Sequence, residues 1–229
     1  MKAHLKRLAM PKTWDIKRKK TVFVMRPFPG GATQELVIPL QTFLRDMVKV
    51  AKTAKEVRFI LNNKSVLVNG KRRKEVKFPV GLMDVIEIPK IKKQYRLLIN
   101  MKGRLFAHEI PVKEASIKPC KIMNKTILKK GIIQLNFTDG NNITVKKDTY
   151  KTDDVVFIDF TKKKITEHLK FQKKSTIFLI GGSRVGVIAT LEDIKGNNVI
   201  IKSKEGTFET IKKYVFVIGA NKPKIDLPE

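Results

Sequence analysis

Few side chains in this sequence combine the type and the spacing that catalysis needs. The sequence has three histidines and one cysteine, namely His4, His108, His168 and Cys120. The histidines are far apart and show no His-x-x-x-His pairing, and no partner motif activates the cysteine as a nucleophile. The adjacent acidic pairs at 153–154 and 192–193 would point to opposite sides of a strand, so we predict solvated turn residues. The pattern predicts neither a catalytic site, nor a metal site, nor a cofactor.

Net charge is the strongest signal in the composition. The 229 residues include 49 Lys and Arg against 21 Asp and Glu, a formal charge of +28, and the sequence pI is about 10.2. Such a charge repels itself unless a polyanion neutralises it. Because 42% of the residues are hydrophobic, a core can form and the chain is not a disordered basic tail. Nucleic acid is therefore the expected partner.

Several protein classes are excluded at the same stage. One cysteine cannot build a disulfide scaffold or a cysteine-based zinc site. No apolar run reaches the roughly 18 residues of a membrane span, and the N-terminus lacks the apolar segment of a secretory signal. Neither nucleotide-binding glycine motif, Gly-x-x-x-x-Gly-Lys-Ser/Thr or Gly-x-Gly-x-x-Gly, occurs. We expect a cytoplasmic globular protein with no membrane partner and no small-molecule substrate.

Residues 1–39 form a basic N-terminal arm. The first 30 residues hold nine Lys and Arg and one acid, Asp15, and their prolines and glycines prevent a continuous helix. With few apolar residues, the arm should be mobile without RNA and should order along a phosphate backbone. Trp14, the only tryptophan, is either a packing anchor for the arm or a stacking platform for a base.

Residues 40–94 carry the clearest secondary-structure pattern. Apolar residues recur at helical spacing from Leu40 to Ala51, directly after Pro39. A Thr53-x-x-Glu56 capping box predicts a second helix that ends near residues 62–63. Asn69-Gly70 then predicts a tight hairpin, and a further strand is expected at 85–88. We predict two short helices followed by a hairpin with a basic tip.

The remainder of the chain shows strand patterns. Short apolar runs separated by Gly, Asn and Asp turns predict a central β domain over residues 95–172. Five more runs, at 175–180, 186–194, 199–202, 208–211 and 214–218, predict a compact five-stranded barrel within residues 173–229. The fold class is therefore α+β and mostly β.

Several motifs together resemble the archaeal and eukaryotic small-subunit ribosomal protein family "four, e-type", in its archaeal form. The motifs run in the family's order along the whole chain: His4-Leu-Lys-Arg-Leu-Ala, Pro11-Lys-x-Trp14, Val66-Leu-Val-Asn-Gly-Lys71, Pro79-Val-Gly-Leu-Met-Asp-Val-Ile86, Lys102-Gly-Arg104, Gly181-Gly182 and Phe216-Val-Ile-Gly219. The resemblance implies an alpha-L RNA-binding motif at 40–94 and a KOW-type barrel at the C-terminus. It also implies a structural role in the small ribosomal subunit, bound to small-subunit rRNA and to neighbouring ribosomal proteins.

Residue chemistry predicts which side chains meet RNA. Lys and Arg displace counterions from phosphates, and structured RNA is recognised by shape and backbone. The expected RNA-binding residues are Lys6, Arg7, Lys12, Trp14, Arg18, Lys19, Lys20, Arg45, Lys55, Arg58, Lys71, Arg72, Arg73 and Arg184. Two alternatives remain at this stage, an RNA-modifying or RNA-repair accessory factor that uses the alpha-L motif, and a transcription factor that uses the KOW barrel to hold protein.

Overall fold

The computed structural model describes residues 4–63, 66–160, 162, 164–203 and 206–228. The chain divides into two compact units, Met1–Ile99 with Arg104–Lys118, and Asn100–Gly103 with Pro119–Glu229. The strands of the first unit are β1 (Leu5–Lys6), β2 (Phe23–Val24), β3 (Val37–Pro39), β4 (Leu67–Val68), β5 (Lys71–Arg72), β6 (Pro79–Gly81), β7 (Val85–Ile88), β8 (Lys93–Ile99) and β9 (Leu105–Ile110). Its helices are α1 (Leu40–Thr42), continued by a π-helical turn at Phe43–Met47, and α2 (Ala54–Asn63).

Both predicted helices are present, but the first ends at Met47 in a π-helical turn and does not extend to Ala51. Pro39 precedes α1, and the apolar stripe buries Leu40, Phe43 and Leu44. At the start of α2, the Glu56 backbone N–H donates to Thr53 Oγ1 at 3.2 Å, and the Thr53 N–H donates to the Glu56 carboxylate at 3.4 Å. This reciprocal capping satisfies two backbone donors that the helix leaves unpaired. The predicted second helix and its end at residues 62–63 are confirmed.

The predicted hairpin lies within a larger sheet. Asn69 and Gly70 both have positive φ, 51° and 70°, as a type I′ turn between β4 and β5 requires. The sheet order is β5-β4-β7-β8-β9, with every pair antiparallel. The expected division at residue 94 falls inside β8, which hydrogen-bonds to β7 on one side and to β9 on the other.

The second unit contains two five-stranded sheets. Its strands are β10 (Ile117–Ile127, beginning at the end of the first unit), β11 (Ile133–Phe137), β12 (Asn142–Val145), β13 (Val155–Asp159), β14 (Lys164–Leu169), β15 (Thr176–Leu179), β16 (Ile188–Lys195), β17 (Asn198–Ser203), β18 (Gly206–Ile211) and β19 (Val215–Gly219). The sheet orders are β12-β11-β10-β13-β14 and β18-β17-β16-β15-β19. The five strands predicted beyond residue 173 are all present. The long β10 and the strand at 164–169 were not predicted.

One buried lysine joins the two sheets of the second unit. Lys121 in β10 is 3% exposed, and its ammonium donates to the carbonyl oxygens of Val215 at 2.8 Å and Lys212 at 3.0 Å. It also lies 3.1 Å from the Asp153 carboxylate. Burial lowers the pKa of Lys121 below the usual lysine value, although Asp153 acts in the opposite direction.

Candidate nucleic-acid interface

The N-terminal arm is built into the first unit. Trp14 is 2% exposed, and its Nε1–H donates to the Val37 carbonyl oxygen at 2.8 Å. Next to it, the Leu105 N–H donates to the Thr13 carbonyl oxygen at 2.6 Å. The arm therefore packs onto the first unit around Trp14, where buried side-chain packing offsets ordering entropy, and its mobility without RNA stays a prediction. The packing interpretation of Trp14 is confirmed, and its ring has no face left for a base.

Two arginines that are expected at the RNA also hold the arm together. Arg7 is 3% exposed, and its guanidinium donates to the Lys17 carbonyl oxygen and to Thr21 Oγ1. Arg18 donates to the Leu8 and Met10 carbonyl oxygens at 3.2 and 3.3 Å. In a regular helix or sheet, backbone carbonyl oxygens accept hydrogen bonds from backbone N–H groups. In this part of the arm, guanidinium groups donate those hydrogen bonds. Both arginines are thereby used in closing the arm on itself.

A wide basic cleft opens beside the arm. It has a volume of about 1950 Å³ and is lined by the arm, by residues 41–52 around the end of the first helix, by Lys77 and by the start of β9. Twelve Lys and Arg line it against two acids, Asp15 and Asp46, which leaves an excess of ten positive charges. A concave surface with one sign of charge concentrates the field and attracts polyanions.

Half of the expected RNA-binding residues line this cleft. They are Arg7, Lys12, Trp14, Arg18, Lys19, Lys20 and Arg45. Lys12, Lys19 and Lys20 are exposed, whereas the Arg45 guanidinium lies 2.7 Å from the Asp46 carboxylate. The arm residue Lys6 is exposed beside the cleft.

Several cleft residues escaped the sequence analysis. They are Lys17, Arg26, Lys49, Lys52, Lys77 and Arg104. Lys49 has a φ of 60°, in the left-handed conformation that commonly ends a helix, and so turns the chain at the cleft. Arg104 is far from the arm in sequence, but its guanidinium lies 2.8 Å from the Asp15 carboxylate. No local pattern signals a contact of such long range.

The hairpin tip carries the second group of expected residues. Lys71 is exposed, but Arg72 Nη2 donates to the Asn62 carbonyl oxygen at 2.8 Å at the end of α2. The Arg73 guanidinium lies 4.3 Å from the centre of the Phe78 ring, which is cation–π distance. Lys55 and Arg58 are exposed on α2. Two of the five residues therefore have structural contacts.

A buried carboxylate fixes the orientation of the hairpin. Asp84 accepts hydrogen bonds from Asn69 Nδ2 at 2.8 Å, from Lys118 Nζ at 2.6 Å and from the Gly81 N–H at 2.7 Å. The Val85 N–H donates in turn to Asn69 Oδ1 at 2.9 Å. A satisfied buried network of this kind favours one arrangement of the turn, and so it sets the direction in which the basic tip projects.

In the second unit, Arg184 is exposed and lies over an aromatic ring. Its guanidinium carbon lies 4.8 Å from the centre of the Phe208 ring. Arg184 follows shortly after Gly181 in the chain. A Cβ added at Gly181 would come within 2.5 Å of the Tyr214 ring. Only glycine lets the chain pass this close to the ring.

The acidic residue and the histidine that were considered for catalysis have structural roles. Asp154 is 2% exposed and bonds His168 Nε2 at 2.7 Å and the backbone N–H groups of Lys151 and Phe171. The prediction of a solvated turn acid is therefore wrong for Asp154, because it closes the connections on both sides of β13–β14. Cys120 is buried. Within the described residues, no cluster of three or more His, Cys, Asp or Glu could hold a metal ion. None of the described helices is long and apolar enough to cross a membrane.

Comparison with known proteins gives the family. The family "Ribosomal family S4e" matches residues 91–165, the "RS4NT (NUC023) domain" matches residues 1–31, and the "S4 domain" matches residues 38–86. The small ribosomal subunit protein eS4 of Methanocella arvoryzae is 42% identical over 228 residues, covering 97% of this chain and 96% of the relative. The eS4 protein of Methanocaldococcus jannaschii is 39% identical over 240 residues, covering 99% and 98%.

A solved structure agrees with these sequence matches. The crystal structure of the 30S ribosomal protein S4e from Thermoplasma acidophilum superimposes with a TM-score of 0.70 at 34% identity, over 81% of this chain and 96% of that one. The three matched regions follow the order of the arm, the helix–hairpin segment and the strands after it. The chain therefore belongs to the S4e family of ribosomal proteins.

Proposed function

We propose that this chain is a structural protein of the small ribosomal subunit that binds 16S-type rRNA and supports translation. The main support is the basic cleft, in which twelve Lys and Arg side chains are accompanied by two acidic ones. Segments that match the RS4NT and S4 domains contribute most of its lining. The relatives covering nearly the whole chain bear the name of a small-subunit ribosomal protein. Its proposed place of action is the ribosome in the cytoplasm, with rRNA and neighbouring ribosomal proteins as partners.

Exposed cations supply the proposed affinity. Each Lys or Arg at a phosphate releases a counterion, and contacts of this kind dominate nucleic-acid affinity. We assign phosphate contacts to the exposed basic residues Lys6, Lys12, Lys19, Lys20, Lys55, Arg58, Lys71 and Arg184. Arg7, Trp14, Arg18, Arg45, Arg72 and Arg73 act mainly by holding these surfaces in shape.

The finer architecture is also proposed. Residues 40–94 would act as an alpha-L motif, which is supported by the two helices and the hairpin with its basic tip. Residues 173–229 would form a KOW-type barrel, which is supported by five consecutive strands in one sheet. In this scheme the arm takes residues 1–39, and residues 95–172 act as a central β domain.

Membership of the S4e family favours this function over the two alternatives. The relatives that match 97% or more of the chain are named as small ribosomal subunit proteins, not as RNA-modifying or RNA-repair factors. A transcription factor with a protein-binding barrel has no need of a cleft lined by twelve cations. No cofactor or small-molecule substrate is part of the proposal.

Sedimentation of tagged full-length protein tests the proposal. Wild type should migrate with small subunits through a gradient after a high-salt wash. A triple variant, Lys12→Gln with Lys19→Gln and Lys20→Gln, should be depleted from that fraction. A control with Lys146→Gln, Lys147→Gln and Lys151→Gln removes the same charge from exposed positions of the second unit and should be depleted less. Wild type that remains at the top of the gradient would contradict a ribosomal role.

A further inference from the structure

We infer that the ring pair formed by His4 and Phe23 is a stacking platform for one unpaired RNA base, an inference that rests on the proposed rRNA-binding function. The two rings lie on the arm, with centroids 5.6 Å apart and planes tilted by 49°. Both line the basic cleft. The platform supplies the aromatic contact that Trp14, buried in the core, cannot make.

The β1–β2 ribbon separates an inner face from an outer face. Lys6 pairs with Phe23 and Leu5 pairs with Val24. Directly opposite residues in an antiparallel pair point to the same face, and neighbours point to opposite faces. Val24 is 7% exposed, whereas Phe23 is 55% exposed. The outer face therefore presents an aromatic ring with an exposed cation, Lys6, directly across from it.

The surroundings of the ring favour RNA as the occupant. An apolar protein partner that covered Phe23 would also have to desolvate the neighbouring Lys and Arg side chains, and cores of protein interfaces are depleted in charge. A nucleotide brings both complements at once, because its base stacks on the ring while its phosphates meet the cations. The ten-charge excess of the cleft is therefore an argument for a nucleotide rather than for an apolar protein surface.

The base must be unpaired. In an A-form helix the ring faces of the bases are covered by their neighbours in the stack, and side chains read the backbone and the shallow groove. Bases that leave the stack, in bulges and loops, expose the face that aromatic side chains bind. We therefore expect the arm to contact a bulged or looped nucleotide next to a duplex whose phosphates occupy the cleft.

The test uses two RNA hairpins that differ by one unpaired 2-aminopurine. Full-length wild type should bind the bulged hairpin about tenfold more tightly, the order of effect that one base–aromatic stack contributes, and binding should quench the 2-aminopurine fluorescence. Phe23→Leu should abolish both the preference and the quenching, whereas Phe23→Trp should retain them. The fully paired hairpin should bind all three proteins equally, with one salt dependence.

Val22→Ala is the matched control, because it trims a neighbouring side chain that is 69% exposed but removes no ring. It should leave the bulge preference unchanged, and all variants should melt as wild type does. Equal binding of the two hairpins by wild type, or a preference that survives Phe23→Leu, would overturn the platform. Equal reductions in the bulge preference from Val22→Ala and Phe23→Leu would show that the preference does not depend on the aromatic ring, and would also overturn the platform. Salt-dependent binding of the paired hairpin would still support the proposed function in each case.

Discussion

The indole nitrogen of Trp14 donates a hydrogen bond of 2.8 Å to the backbone carbonyl oxygen of Val37. This bond joins the start of the N-terminal arm to its last segment, β3, which leads into α1. Trp14 also forms an isolated parallel bridge with Leu105 at the start of β9. Three segments that are remote in sequence therefore meet at one side chain, so that the arm and the S4-matching segment fold as one structure.

The first prediction concerns this side chain. Trp14→Ala should lower the free energy of unfolding by about 3–5 kcal/mol, as expected for truncation of a buried aromatic residue. Trp14→Phe should cost about 1–3 kcal/mol, because the Val37 carbonyl loses its donor. Chemical denaturation of the full chain measures both. Deletion of residues 1–26 should also destabilise the protein.

Phe28→Ala serves as the control for the loss of an aromatic ring, since Phe28 is 47% exposed and should cost less than half as much as Trp14→Ala. Equal and small decreases in stability for both variants would show that the arm contributes little to the core.

The second prediction separates structure from RNA contact at the hairpin. Arg72→Ala with Arg73→Ala should lower the free energy of unfolding by about 1–3 kcal/mol, because one side chain bonds the last turn of α2 and the other stacks on Phe78. Lys71→Ala with Lys74→Ala removes the same charge from exposed positions and should change stability by less than about 0.5 kcal/mol. Melting curves and RNA titrations of both variants distinguish the effects.

Both double variants should bind RNA more weakly, since each removes two positive charges from the tip. A stable arginine variant would mean that the contacts to Asn62 and Phe78 carry no net energy.

Local chemistry made the helix–hairpin segment predictable. The Thr53 and Glu56 capping pair and the Asn69-Gly70 turn specify their own backbone geometry, and the structure contains both. Their signals are complete within a few residues, so no tertiary contact is needed to identify them. The five strands after residue 173 were predictable for a similar reason, because their apolar runs are separated by turn sequences such as Gly181-Gly182 and Gly196-Asn197-Asn198.

The sequence pattern did not predict β10, because the polar residues of this strand are buried with hydrogen-bonding partners. Lys118 is 2% exposed and lies 2.6 Å from Asp84, and Lys121 is enclosed by carbonyl oxygens of residues 212–215. In sequence, two lysines and Pro119 resemble a solvated loop. Only the fold supplies the distant acceptors that make burial of these charges possible. The cleft was partly hidden for the same reason, because Arg104 and Lys77 reach it through tertiary structure.

The third prediction tests cleft residues that only the structure identifies. Lys49→Gln with Lys52→Gln should lower the slope of log affinity against log salt by about 1.4–1.8, which is about 0.7–0.9 for each phosphate that the variant no longer neutralises. The control is Lys90→Gln with Lys92→Gln. These lysines are exposed and absent from the cleft lining, and Lys92 matches Lys49 in its positive φ of 55°. Equal slopes for the two variants would contradict a cleft-centred interaction with RNA.

The last prediction concerns Lys121 in the second unit. Lys121→Met should lower the free energy of unfolding by about 2–4 kcal/mol at neutral pH, because carbonyl oxygens that accept from the ammonium are left buried without their donor. Asp153 keeps a partner, since Lys212 Nζ lies 3.0 Å from its other carboxylate oxygen. The destabilisation should therefore come mainly from the carbonyl groups.

The pH dependence of stability gives a second readout for Lys121. Burial holds its folded-state pKa below the ordinary value of 10.5. The unfolded chain keeps the ordinary value. At pH values between the lowered folded-state pKa and 10.5, the folded chain has released a proton that the unfolded chain still binds. Lys121 therefore makes the free energy of unfolding rise with pH in this range. Denaturation midpoints of wild type and Lys121→Met, measured from neutral pH to 10.5, isolate this contribution, because all other lysines are shared. A difference that stays constant or falls with increasing pH would show that burial does not disfavour the charged form of Lys121.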